Sequence, residues 1–122
     1  ATYVARAFSG DLMQMAELIK GVMEHKGFAL IDVLQPCVTW NKVNTFEYYK
    51  KKGYKLESGY APTNRAEAMK KAEEWAEGIP LGVIYRENQR TYEQELPQLK
   101  EGPLAKRNID DLSIDELLRE YE

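Results

Sequence analysis

Residues 28–34, Phe-Ala-Leu-Ile-Asp-Val-Leu, are apolar at every position but Asp32. A run of this kind suits a strand buried on both faces, as strands of a parallel sheet are. What precedes it narrows the choice. Tyr3 to Ala7 reads as a short strand. Leu12, Met15, Ala16, Ile19, Val22 and Met23 then recur at helical spacing across about 10–26. Ser9 is placed to cap that helix, with Asp11 in its first turn and Gly27 closing it. Strand, helix and strand with short joints make a βαβ unit, whose crossover is right-handed. The expectation is a central parallel strand at 28–34 with the 10–26 helix packed on it.

Downstream, Pro36 stops the strand and residues 35–43 read as a loop. Asn44 and Glu47 have capping-box spacing for a short helix over 45–52, ended by Gly53. Leu56 to Pro62 is turn-rich. Asn64 and Glu67 repeat the capping box and open a third helix, with Ala68, Met69, Ala72, Trp75 and Ala76 as its buried stripe. Gly78 and Pro80 close it, and 81–86 reads as a third buried strand. Three strands alternating with three helices is an α/β pattern. Three strands are thin for an open doubly wound sheet, so residues 1–88 look like roughly half of one. From 89 to 122 the composition turns polar, with Pro97 and Pro103, and reads as an extended tail. Ser113 and Glu116 cap a last helix carrying Ile114, Leu117, Leu118 and Tyr121. Two turns cannot hold themselves in water, so residues 96–122 are expected to be mobile or docked on another chain.

Composition excludes several classes. The chain has 122 residues, room for one domain. Its 17 basic and 20 acidic residues give a net charge of −3, which argues against a general nucleic-acid binder. There is no 18-residue apolar run and no basic-then-apolar leader, so a cytoplasmic protein with no membrane span is expected. One cysteine precludes an internal disulfide, and one cysteine with one histidine cannot make a self-contained zinc site. No phosphate-binding glycine loop and no Gly-x-Ser-x-Gly is present. The sequence starts on Ala1 and enters a strand at once, so a processed chain or a piece of a longer one is expected.

Few residues are left to carry chemistry. His25 reads as a solvated side chain favouring a helix C-terminus. Asp32, inside an apolar strand, is a buried-carboxylate candidate that either orients a site or pairs with a nearby donor. Cys37 sits one proline beyond the end of a buried strand, the edge where ligands bind in open α/β sheets; the bland alternative is a small structural hydrophobe. Lys42, Lys50, Lys51, Lys52 and Lys55 make a local positive cluster, either a solvated face or a steering surface for an acidic partner. Trp75 and the methionines fall on helical stripes and are expected in the core.

The stretch Leu34-Gln-Pro-Cys-Val-Thr-Trp-Asn-Lys-Val-Asn-Thr-Phe-Glu-Tyr-Tyr49 resembles the C-terminal part of the β subunit of 2-oxoacid:ferredoxin oxidoreductases of the 2-oxoglutarate or pyruvate type. Ala5-Arg-Ala-Phe-Ser-Gly-Asp11, Ile79-Pro-Leu-Gly-Val-Ile-Tyr-Arg86 and Arg90-Thr-Tyr-Glu93 support the likeness, which covers about residues 1–95. The resemblance implies the C-terminal half of a doubly wound, mainly parallel domain that binds thiamine diphosphate and Mg²⁺. It also implies one 4Fe–4S cluster, with Cys37 as the fourth thiolate and three cysteines from the N-terminal half. The implied reaction is oxidative decarboxylation of a 2-oxoacid to an acyl-coenzyme A. Electrons leave singly through the cluster to ferredoxin, and an α subunit is the partner. Thr39 and the amides after Pro36 are the candidates for hydrogen bonds around the sulfur. Lys42, Lys50, Lys51 and Lys52 are candidate docking charges for ferredoxin. The second cysteine and the Gly-Asp-Gly metal motif of the family are absent here, so the chain alone is expected to bind neither cofactor and to be inactive. The rival reading is a non-catalytic α/β assembly or regulatory module. The reading frame upstream of Ala1 separates the two, because the enzyme needs Cys-x-x-Cys and Gly-Asp-Gly there.

Overall fold

The computed structural model describes residues 1–57, 59–60, 63–108 and 114–119. The chain divides into two compact units, Ala1–Thr91 and Tyr92–Glu122. In the first, the elements run β1 (Tyr3–Phe8), α1 (Leu12–Glu24), β2 (Ala29–Leu34), α2 (Phe46–Lys52), β3 (Gly53–Lys55), α3 (Arg65–Glu73) and β4 (Ile79–Arg86). The second holds α4 (Tyr92–Glu95), two short 3₁₀ turns and α5 (Asp115–Arg119). The expected cap Ser113, and Tyr121, lie outside the described residues. No described helix is long and apolar enough to cross a membrane.

Among the described residues the sheet has four strands in the order β2-β1-β4-β3. β1 and β2 pair in parallel from Tyr3–Ala29 to Phe8–Leu34. β3 and β4 also pair in parallel, and β1 and β4 are antiparallel with an irregularity between Val4 and Ala5. The fold is therefore mixed α/β with a mostly parallel sheet. β3 escapes a sequence reading because it is three residues long, Gly-Tyr-Lys, with no apolar run to mark it.

Helices cover both faces. Tyr3, Ala5 and Ala7 share one face of β1 and pack with Leu18, Met15 and Val22 of α1. A second cluster gathers Phe8, Leu34, Tyr49, Ile79 and Leu81 where β1, β2, β4 and α2 meet. On the face opposite α1, Arg6 ties three elements together. Its Nε donates to Asp32 at 2.9 Å, its terminal nitrogens donate to the Ala72 carbonyl at 3.3 Å, and the guanidinium lies 5.5 Å from the Trp75 ring centre. Asp32 is thus a half-exposed ion-pair partner rather than a buried carboxylate.

Several expectations are corrected. The run at 28–34 is not central. β4 occupies the other edge of β1, which leaves β2 outermost, with Phe28, Leu30 and Val33 exposed. On α1 the sheet-facing row is Gln14, Met15, Leu18 and Val22, while Leu12, Ile19 and Met23 face outward. α3 ends at Glu73, so Trp75 lies past it and is 41% exposed, and Met69 is 59% exposed. Apolar spacing marks a face to be covered without saying which neighbour covers it. The caps shift too. Asp11, not Ser9, caps α1 by accepting from the Gln14 amide at 3.0 Å, because Ser9 N–H extends the ladder to the Leu34 carbonyl. Thr45, not Asn44, caps α2 through the Tyr48 amide. Asn64 caps α3 as expected, accepting from Ala66 and Glu67.

His25 is partly buried at the end of α1 and is not a solvated cation. Its Nε2 lies 2.9 Å from the Thr2 hydroxyl, its ring packs 5.3 Å from Tyr3, and its Nδ1 is buried without a partner among the described residues. Gly27, at φ +119°, lets the chain turn beneath this contact; a Cβ there would collide with Thr2 Oγ1. Burial first, and the Arg86 charge second, hold His25 below its ordinary pKa. A depressed histidine stabilises the fold above its unfolded value near about 6.5 and loses that contribution as pH falls through its folded value. Thermal stability should therefore decline from pH 7 toward pH 5, above the window of the salt-bridged carboxylates, and His25→Gln should flatten that segment. An unchanged slope in the variant would exclude His25 as its source.

Candidate functional site

β1 and β2 end side by side, and their carboxyl ends are fastened by the Ser9 amide on the Leu34 carbonyl at 3.1 Å. From β1 the chain turns through Ser9 and Gly10 into α1. From β2 it runs through Gln35 and the buried Pro36 to the exposed thiol of Cys37. This is the sheet edge at which open α/β domains bind ligands. α2 is held there by aromatic packing: Phe8 lies 5.8 Å from Phe46 and 5.9 Å from Tyr49, and Tyr48 meets Tyr49 edge-on. A groove of about 610 Å³ opens beside it, lined among others by Phe8, Leu12, Phe46, Tyr49 and Lys50.

The loop after Pro36 makes a single helical turn. The Asn41 amide donates to the Cys37 carbonyl at 3.0 Å, so Cys37 stands where a helix N-cap residue would. The amide of Trp40 foremost, then that of Thr39, holds the thiol below its ordinary pKa; burial opposes them, and the Asn41 amide adds least. Such amides stabilise negative charge on sulfur whether it is carried by a thiolate or by a thiolate bound to metal. Thr39 thus contributes through its backbone. Val38, Trp40 and Val43 are exposed around the thiol, Trp40 at 88%. Asn41, which sequence reasoning missed, fixes the next bend: its Oδ1 accepts from the Val43 and Asn44 amides, both at 2.9 Å. Asn is the residue type that makes such turns, and that signal is present in Asn41-Lys-Val-Asn44.

The lysine cluster divides. Lys42 donates to the Val38 carbonyl and Lys52 to the Ala76 carbonyl, while Lys55 pairs with Asp11 at 2.7 Å. Lys50 and Lys51 point to solvent. Asp32 is turned toward Arg6 and α3 and is not part of the Cys37 loop. Among the described residues no group of three or more His, Cys, Asp or Glu side chains can hold a metal ion. What the loop offers is one accessible thiol at the end of a strand.

Residues 37–101 match the family described as the C terminal of the pyruvate ferredoxin oxidoreductase beta subunit, beginning at Cys37 itself. The chain belongs to this family. As a C-terminal β-subunit region it is 46% identical, over 109 residues, to subunit beta of 2-oxoacid:ferredoxin oxidoreductase 1 from Aeropyrum pernix; the match covers 80% of this chain and 34% of that protein. The subunit beta of 2-oxoacid:ferredoxin oxidoreductase from Saccharolobus solfataricus is 38% identical over 109 residues, covering 80% of this chain and 36% of that one. Among solved structures, a 2-oxoglutarate:ferredoxin oxidoreductase from Magnetococcus marinus superposes with a TM-score of 0.81 at 30% identity. The superposition covers all of this chain and 41% of that one, and that structure holds 2-oxoglutarate, coenzyme A and succinyl-CoA. The β-subunit region described here therefore spans about a third of the curated relatives it matches.

Proposed function

We propose that this β-subunit region serves a 2-oxoacid:ferredoxin oxidoreductase by supplying Cys37 as one of four thiolates on a 4Fe–4S cluster. The observation that carries this reading is the Cys37 loop. An exposed thiol, held below its ordinary pKa by the Trp40 amide foremost, stands at the carboxyl edge of a parallel strand pair, in a chain whose family match starts at that residue. The other three thiolates belong to the remainder of the subunit, since this chain has one cysteine. Thiamine diphosphate and Mg²⁺ are assigned no residue here: the sequence lacks Gly-Asp-Gly, and the described residues hold no metal-binding cluster.

When bound, the two cofactors supply decarboxylation chemistry and one-electron transfer. The residues of this chain bind and tune. Cys37 would hold one iron, and the amides of Trp40 and Thr39 would favour negative charge on its sulfur. Val38, Trp40 and Val43 keep water from the thiol once a partner surface closes over them. Lys50 and Lys51 steer an acidic electron acceptor, ferredoxin, to this edge. An α subunit, a 2-oxoacid and coenzyme A complete the enzyme.

The test is turnover of the complete β subunit assembled with its α subunit. Ferredoxin reduction should require both a 2-oxoacid and coenzyme A, and its kcat/KM should fall with rising salt and in the Lys50→Glu/Lys51→Glu double variant. Assembly without any 2-oxoacid-dependent reduction, with either pyruvate or 2-oxoglutarate, would favour the non-catalytic module instead.

A further inference from the structure

We propose that the open side of β2 is an interface within the complete β subunit, where a further apolar strand, drawn from the part of the subunit outside this region, pairs in parallel with its free edge. The inference rests on the family membership of the chain and stands whether or not Cys37 binds iron.

The backbone gives the first argument. The carbonyls of Phe28 and Leu34 accept from the β1 side, from the amides of Tyr3 and Ser9. Alternation along a strand then turns the N–H and C=O groups of Ala29, Ile31 and Val33 to the opposite edge, where no described strand pairs with them. Sheet edges that stay in water are blunted by short strands, lysine, proline or a bulge. β3, at the other edge of the sheet, follows that rule with three residues that include Gly53 and Lys55. β2 does not follow it. It is six residues long, Ala-Leu-Ile-Asp-Val-Leu, in unbroken register with β1. Its one charge, Asp32, is engaged by Arg6 at 2.9 Å. Such an edge is a template for another strand.

The side chains give the second. Leu30 is 50% exposed on the face it shares with Asp32. Val33 is exposed on the other face, the one through which Ala29 and Ile31 pack against the α1 cluster. α1 itself carries a second apolar row, Leu12, Ala16, Ile19 and Met23, exposed throughout and spaced as helix–helix contacts are. At about 100° per residue this row lies roughly a third of a turn from the sheet-facing one, and in a right-handed β1–α1–β2 unit that rotation carries it to the β2 side. Free edge, both strand faces and helix flank therefore open in one direction. That is the surface which one strand and its helix in a layered α/β sheet offer to the next pair.

Chain length and strand type choose the occupant. The region spans about a third of the β subunits it matches and covers 41% of the solved chain on which all of it superposes. A strand joined to the region by the same chain arrives at high effective concentration. A second copy of the region fits less well. A two-fold axis would set two β2 strands antiparallel, and antiparallel sheets commonly keep one face in water, whereas residues 28–34 are apolar for both faces.

The experiment uses the complete β subunit assembled with its α subunit. Residue-resolved hydrogen exchange compares the amides of Leu30 and Asp32, which face β1, with those of Ile31 and Val33, which face the free edge. All four should exchange within about tenfold of one another, since each is then a ladder amide. Exchange at Ile31 and Val33 more than about tenfold faster overturns the pairing. A photo-crosslinking phenylalanine analogue then replaces Phe28, which is 70% exposed here. It should form a link within one β chain, which keeps its monomer mass, to an apolar segment outside residues 1–122. A β–β product of doubled mass, a link to the α subunit, or links confined to residues 1–122 overturns the choice of occupant. If the probe at Phe28 blocks assembly, the same probe at Leu30 decides by the same outcomes. Neither readout involves iron, so full iron in Cys37→Ala would overturn the ligand assignment and leave this inference standing.

Discussion

Ile79→Ala should destabilise the first unit by roughly 2–5 kcal/mol, the range for a large aliphatic side chain deleted from a packed interior. Ile79 is fully buried, starts β4, and sits among Phe8, Leu34, Tyr49 and Leu81. It pairs in register with Gly53, at the start of the three-residue β3. Neighbouring rings fill such a void poorly, since Phe8 and Tyr49 are already fixed against each other at 5.9 Å. For a unit of this size the melting temperature should drop by about 10 °C or more. Met23→Ala makes the contrast. Met23 is 81% exposed, and its removal from this chain should cost at most about 0.5 kcal/mol. Thermal unfolding of both variants checks the packing: comparable losses would mean that the core is not centred where the structure places it.

That contrast shows where the sequence is informative. β1, α1, β2 and β4 are legible because each has a run or stripe of the right period and length, and Asn64 announces α3 correctly. Period gives a face, not its neighbour. Phe28-Ala-Leu-Ile-Asp-Val-Leu34 reads as buried on both sides, yet the antiparallel β1–β4 pairing puts it at an edge, and no local signal in residues 28–34 records that pairing. Met23 and Trp75 are misplaced by periodicity for the same reason. Caps are ambiguous where two candidate residues lie close together, as with Ser9 and Asp11 or Asn44 and Thr45; the backbone amide that reaches the side chain decides, and that depends on where the strand before it ends. The place of Cys37 just past a strand end is legible because Pro36 fixes the end of β2 just before it. Asn41 is easily missed because its side chain accepts from residues ahead of it in the loop.

The second large effect is on electron transfer. Cys37→Ala in the complete β subunit should lower ferredoxin reduction by well over the roughly 10–100-fold that loss of an outer partner of a metal ligand costs, because a ligand itself is removed. The thiol is exposed and stands clear of the buried clusters, so the loss should come without a matching loss of stability. Melting temperature within about 2 °C of wild type, with activity gone, is the expected pair of results. Equal falls in both would instead mark Cys37 as a structural residue.

Iron content tests the central claim most directly, because it needs neither substrate nor acceptor. Wild-type β subunit, reconstituted with iron and sulfide under reducing conditions, should hold close to about four irons per subunit with the broad visible absorbance of a 4Fe–4S cluster, as four thiolate ligands allow. Cys37→Ala should bind far less iron and lose that absorbance. A full complement of iron and an unaltered spectrum in Cys37→Ala would contradict the assignment of Cys37 as a cluster ligand.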